Sequence, residues 1–146
     1  METIHDICKK YKITNYTINS DGSIDVNGNV WLSNKGLTEL PLVFNKVTGY
    51  FDCSNNKLTT LEGCPKWISG NFSCSYNNLT SLEFGPDYVG SNFWCNDNKL
   101  TDNYCDSEIG GSFYTSLKQD GLTKDNYNEW RKLYKRKLIL NDIFNM

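Results

Sequence analysis

The sequence predicts an α+β chain: a right-handed β solenoid of four to five 21-residue rungs, with a helix and hairpin over its amino end and a helix over its carboxyl end. Three observations carry this. One unit recurs at a fixed 21-residue step, headed by Val30-Trp31-Leu32, Phe51-Asp52-Cys53, Phe72-Ser73-Cys74 and Phe93-Trp94-Cys95. A period of this length marks a stacked solenoid. Each unit opens on apolar residues two apart, which puts them on one face of a short strand. Its second half holds Gly63-Cys64-Pro65 or Gly85-Pro86, which argues against a helix there.

The chain divides into residues 1–28, an amino-terminal cap, 29–123, the solenoid, and 124–146, a carboxyl-terminal capping helix, all within one structural domain. In the cap, Ile4, Ile7, Cys8 and Tyr11 fall at helical spacing. Tyr16-Thr17-Ile18-Asn19 and Ile24-Asp25-Val26-Asn27 flank Asp21-Gly22, a hairpin signal. End rungs expose their core, so solenoids need such covers.

Inside the solenoid, Val30, Phe51, Phe72 and Phe93 face inward with Leu32, Cys53, Cys74 and Cys95. Leu37, Leu58, Leu79 and Leu100 are copies of one slot and form a common spine. Asn56, Asn77 and Asn98 follow the strands, where each can bond loop backbone of its own and neighbouring rungs, because buried backbone groups must find partners. Lys35 holds the equivalent place in the first rung, so its ladder bond is expected to be missing or replaced by water. The second half of each unit reads as an extended, polyproline-like return with Val47, Ile68 and Val89 inward. Gly28, Gly49 and Gly70 mark the bend into the next strand. The fourth rung loses its pattern after Thr101, and a fifth strand is expected over residues 112–118. Asp120-Gly121-Leu122-Thr123 reads as a degraded turn. Thr123 caps a helix over residues 124–141 with Asp125 in its first turn, and Trp130 is expected to seal the last rung.

Phe51, Cys53, Asn56, Leu58, Thr59, Leu61, Pro65 and Ile68, with the next rung's Phe72, Cys74, Asn77, Leu79, Thr80, Leu82, Pro86 and Val89, resemble the short bacterial leucine-rich repeat of secreted effector proteins. The likeness covers about two thirds of the chain. Two departures stand out. The proline expected after the last leucine is Glu62 and Glu83, kept only as Pro41, and the inward valine is cysteine in three rungs. A looser likeness is to small repeat proteins of large bacteriophages and related viruses. Together these imply a leucine-rich-repeat solenoid that binds a protein through its concave face, with a host protein as target and inhibition of a host defence or regulatory factor as the role.

Composition bounds the function further. The net charge of −2 gives no general pull toward nucleic acid or an anionic membrane. Residues 1–111 carry 8 Lys/Arg and 13 Asp/Glu, and residues 112–146 carry 7 and 4, so an acidic body precedes a basic end. Cys53, Cys74 and Cys95 stand one period apart at a core position and read as small apolar fillers. No C-x-x-C spacing suggests zinc, so neither metal nor cofactor is expected. Free thiols and the absence of a signal peptide point to a cytoplasmic protein, in the host cell cytoplasm if virus-encoded. The only histidine, His5, has no nucleophile at a meaningful spacing, and Asp102, Asp106 and Glu108 sit in an irregular loop, so no catalysis is expected.

The candidate partner-binding residues are Trp31, Tyr50, Asp52, Ser73, Trp94 and Tyr114 on the outward strand face, with Tyr76 in a turn. Trp and Tyr are enriched at binding hot spots, and Asp52 offers a charge for a partner's Lys or Arg. The structural alternative is packing of Trp31 against the amino-terminal cap and of Trp94 against Tyr114. Arg131, Lys132, Lys135 and Arg136 form a secondary basic patch, which is either a solvated helix face or a contact for an acidic partner. Two other function classes stay open: a small-ligand or nucleotide binder, and a structural or assembly subunit.

Overall fold

Apolar residues two apart make short strands, and a 21-residue step lets each strand lie against its copy. In the computed structural model, which describes residues 1–117 and 127–145, this produces two parallel ladders. A helix, α1 (Ile4–Lys10), is followed by an antiparallel hairpin of β1 (Tyr16–Ile18) and β2 (Ile24–Val26). The first strands of the rungs are β3 (Val30–Trp31), β5 (Phe51–Asp52), β7 (Phe72–Ser73), β9 (Phe93–Trp94) and β11 (Phe113–Tyr114). They stack in that order into a five-stranded sheet. The returns are β4 (Phe44–Val47), β6 (Trp67–Ile68), β8 (Tyr88–Val89) and β10 (Glu108–Ile109), and a terminal helix, α2 (Tyr127–Phe144), follows.

The returns correct the polyproline-like expectation. Val47, Ile68 and Val89 do point inward, but their segments pair with one another in a second sheet ordered β1-β2-β4-β6-β8-β10. The reason is backbone satisfaction. A lone extended return leaves its amides to water, whereas stacked returns supply Ser69 N to Val47 O at 3.0 Å and Gly90 N to Ile68 O at 2.8 Å. The hairpin also does more than cover an end. Its strand β2 pairs in parallel with β4, so the cap is the first member of the second sheet.

Between the sheets lies a continuous core. Phe44, Phe51, Phe72, Phe93 and Phe113 form a chain of ring contacts with centroids 4.8–6.1 Å apart. Leu58 and Leu79 fill the spine completely, while Leu37 and Leu100 at its ends are half-buried. Cys53, Cys74 and Cys95 are buried, and each thiol donates to a carbonyl of the next rung: Ser73, Trp94 and Tyr114 respectively. Burial pushes all three thiols well above their ordinary pKa, so they are packing groups. Cys64 and Cys105 are buried with raised pKa values too.

The asparagine ladder reaches backward. Asn77 Nδ2 donates to Cys53 O and Cys74 O, both at 3.0 Å, and its Oδ1 accepts from Leu58 N at 3.0 Å. Asn56 does the same one rung earlier, accepting from both Lys35 N and Leu37 N. The expectation of a missing bond at Lys35 is therefore wrong: that turn is served by Asn56, and a first rung has no earlier strand turn to serve. The glycine column behaves as expected. Gly70 N donates to Gly49 O at 3.1 Å, and a Cβ on Gly70 would lie 2.7 Å from that oxygen, so no larger residue fits without shifting the rung.

The last rung shortens. Phe113 pairs with Phe93 and Ile109 with Val89, a step of 20 residues. Asn103 is buried here, donating to Leu117 O and accepting from Thr115 Oγ1. Tyr127 is the residue that seals the end, with the expected Trp130 only partly buried against the core beside it. Its ring stacks on Phe113 at 4.1 Å and its hydroxyl meets Cys105 Sγ at 2.6 Å. Trp130 lies one turn on, against Tyr127 and Tyr134. The reading of Asp120-Gly121-Leu122-Thr123 as a turn, the cap at Thr123, the first turn at Asp125 and the end of the fifth strand at Lys118 lie outside the described residues. Among the described residues no helix is long and apolar enough to cross a membrane.

Candidate functional site

The side chains that alternate outward from the five-stranded sheet form two columns. Register places Trp31, Asp52, Ser73, Trp94 and Tyr114 in one. Tyr50 precedes β5 and leans into that column. The rings then form a ladder: Trp31 to Tyr50 at 5.0 Å, Tyr50 to Trp94 at 6.4 Å with planes 12° apart, and Trp94 to Tyr114 at 5.4 Å with planes 9° apart. Trp31 is 53 % exposed at the open end, and the other three are half-buried by each other.

Ser73 needs correction. It occupies an outward position but is only 6 % exposed, because Tyr50 and Trp94 close over it from the rungs on either side. A small residue there is what lets two rings two rungs apart meet. Ser73 therefore positions the ladder, forming a hydrogen bond with Tyr50. Burial and the neighbouring Asp52 charge both raise the Tyr50 pKa. Asp52 is half-buried, and its Oδ1 accepts from Ser54 N at 2.9 Å and Ser54 Oγ at 2.6 Å.

The second column is structural. Asn29 Oδ1 accepts from Tyr50 N at 2.8 Å, Asn71 Oδ1 from Asn92 N at 2.9 Å and Asn92 Oδ1 from Ser112 N at 2.9 Å. Each fixes the start of the next strand. Of the two packing alternatives for the tryptophans, Trp94 does stack on Tyr114, whereas the ring beside Trp31 is Tyr50. Tyr76 is exposed, at φ 56° in the turn slot that holds Asn34, Asn55 and Asp97, all at positive φ.

The basic patch separates into parts. Arg131 is 6 % exposed and bound to Glu108, so it ties α2 to β10 and is not available outside. Lys135 pairs with Asp106 at 3.4 Å and Lys132 with Glu129 at 3.8 Å. Arg136 is exposed.

A second aromatic pair was not anticipated. Trp67 and Tyr88 stack at 4.1 Å on the outward face of the other sheet, in register with Lys46. Their signal was present: inward Ile68 and Val89 place their predecessors outward, one period apart.

No family model matches the chain, and neither a curated protein nor a solved structure matches it.

Proposed function

We propose that this protein is a non-catalytic recognition module that binds a protein partner through the outward face of its five-stranded sheet. The observation that supports this most is the Trp31–Tyr50–Trp94–Tyr114 ladder. Strand alternation requires nothing apolar there, and yet three large rings stand in one register column and Tyr50 leans in as a fourth. Such rings offer contact area at little entropic cost on binding, which is the character of a hot spot. Their mutual stacking also favours a protein over a sugar or a base. A flat ligand needs open ring faces, and Tyr50 and Trp94 each already have two ring neighbours. Asp52 adds a carboxylate to the same strip for a cationic group of the partner. In this reading the rungs are of leucine-rich-repeat type, and the virus-like wording makes a host defence or regulatory protein the target and its inhibition the role.

The test is affinity capture from host lysate with the native chain and with Trp31→Ala, alongside a thermal-shift screen with nucleotides and sugars. Trp31→Ala removes one ring contact, so a stability loss of about 1 kcal/mol is expected, together with loss of the captured protein. Retention of that protein by both Trp31→Ala and Trp94→Ala would overturn the reading. A reproducible shift with a nucleotide would favour the small-ligand alternative.

A further inference from the structure

A groove of about 590 Å³ lies at the turn into the second sheet and crosses rungs from Val43 to Asp106. Its floor includes buried Phe44, Cys64 and Leu82. Its wall carries Val43 and Phe84, both largely exposed. Glu83, Asp87, Asp102 and Asp106 line it against one lysine, Lys66, leaving it acidic. Phe84 is out of place for folding alone. It sits at φ 66° in the slot where the previous rung has Gly63 at φ 91°, and a bulky residue is disfavoured there. Its ring is nonetheless 56 % exposed.

The complementary surface is on the same chain. Beyond Lys135, α2 presents Leu138, Ile139, Leu140, Ile143 and Phe144, all exposed. Arg136 and Lys137 accompany them and make no ion pair among the described residues. Helix and groove adjoin: Lys135 pairs with Asp106, and the Tyr134 and Tyr104 rings lie 5.3 Å apart. The lengths agree. Residues 136–144 of a helix span about 14 Å, and three strand-to-strand steps across four rungs span about 14 Å.

We propose that two copies of this chain form a two-fold dimer in which residues 136–144 of each α2 lie in the other copy's corner groove. A basic, apolar helix end meets an acidic, apolar groove in the helix-in-groove mode. Because the two surfaces adjoin on one molecule, they form one self-complementary patch, as an isologous interface requires. The contact is separate from the aromatic strip on the five-stranded sheet.

Sedimentation velocity on the full chain, over a range of concentration and salt, tests this. A concentration-dependent dimer that weakens at high salt is expected. Arg136→Glu with Lys137→Glu reverses the helix, and Glu83→Lys with Asp87→Lys reverses the groove. All four residues are exposed, so circular dichroism should stay native. Each double variant alone is expected to be monomeric. Mixing the two should restore the dimer, because reversed helix meets reversed groove while native helix meets native groove. Phe84→Gly should weaken the dimer with no loss of monomer stability. A native chain that stays monomeric, variants that still dimerise alone, or a mixture that remains monomeric would overturn the proposal. So would a monomer that instead co-sediments with phosphatidylserine vesicles through α2.

Discussion

Asparagine decides how one rung is locked to the next. Asn77 is buried and serves four backbone groups in two rungs: Leu58 N, Cys53 O, Cys74 O and Ser75 O. Alanine there would leave Leu58 N without its acceptor, while Cys53 O keeps Asn56 Nδ2 and Cys74 O keeps Asn98 Nδ2. A buried unpaired group costs ~1–3 kcal/mol, so Asn77→Ala should destabilise the protein by about 1–3 kcal/mol in urea unfolding. A loss below ~1 kcal/mol would mean the turn recruits water instead. Tyr76, the next residue back, works in the other direction. It holds a left-handed conformation that Asn and Asp accept more readily, and the same slot elsewhere is Asn55 or Asp97. Tyr76→Asn should therefore raise stability by up to about 1 kcal/mol. Loss of partner capture in that more stable variant would assign the ring to binding, and unchanged capture would leave it a solvated tyrosine. The asparagine turns were legible in the sequence because they recur every 21 residues. Their direction was not, since a residue type does not say which neighbour it reaches. Ser73 shows the same limit: alternation places it outward, but its burial depends on rings from two other rungs.

Two elements differ from what their sequences suggest, for different reasons. After the four-residue β4, the returns carry only two-residue strands such as Trp67–Ile68 and Tyr88–Val89, too short for periodicity to separate strand from extended coil. Stacking makes them a sheet, so the second ladder is a property of the repeat and not of any single return. The terminal helix was legible as amphipathic, and its Tyr127 does pack on the last rung, but ion pairs share in the attachment. Arg131 meets Glu108, and Lys135 meets Asp106. Tyr104 donates to Asp106 at 2.6 Å. That bond, reinforced by Lys135, lowers the Asp106 pKa below its ordinary 3.8. A carboxylate depressed in the folded state adds stability above its unfolded pKa and loses it as pH falls through the folded value. The attachment of α2 should thus weaken on acidification below pH 3.8. Asp106→Asn should lower the protection of α2 amides at neutral pH, and its difference from the native chain should vanish in acid. An equal difference at both ends of the range would remove Asp106 from the attachment. Tyr104, pushed up to about 12 by burial and by its bond to Asp106, stays protonated throughout and remains the donor.

At the scale of the molecule, the ladder contacts join neighbouring rungs, so stability is distributed along the stack and not uniform across it. The two ends are unequal. At the amino end, Thr48 N donates to Val26 O at 3.1 Å and Ile24 N to Val43 O at 3.0 Å, so the hairpin continues the same hydrogen-bonded sheet. At the carboxyl end, β10 and β11 are offset by one residue from the period, and α2 is held by side chains. Opening should therefore start at the carboxyl end and run inward. Native-state hydrogen exchange should find the amides of Phe51, Cys53, Phe72 and Cys74 slowest. The amide of Lys99, which donates to Leu79 O in the last clear turn, should exchange more than about tenfold faster. The amide of Thr48 should side with the slow group, because the hairpin is part of the sheet. If all these amides exchange at one rate, the stack opens as a single cooperative unit, and the inequality of its ends has no energetic meaning. If Thr48 joins Lys99 instead, the hairpin is a lid that leaves early, and the first rung, like the last, is only as stable as its cover.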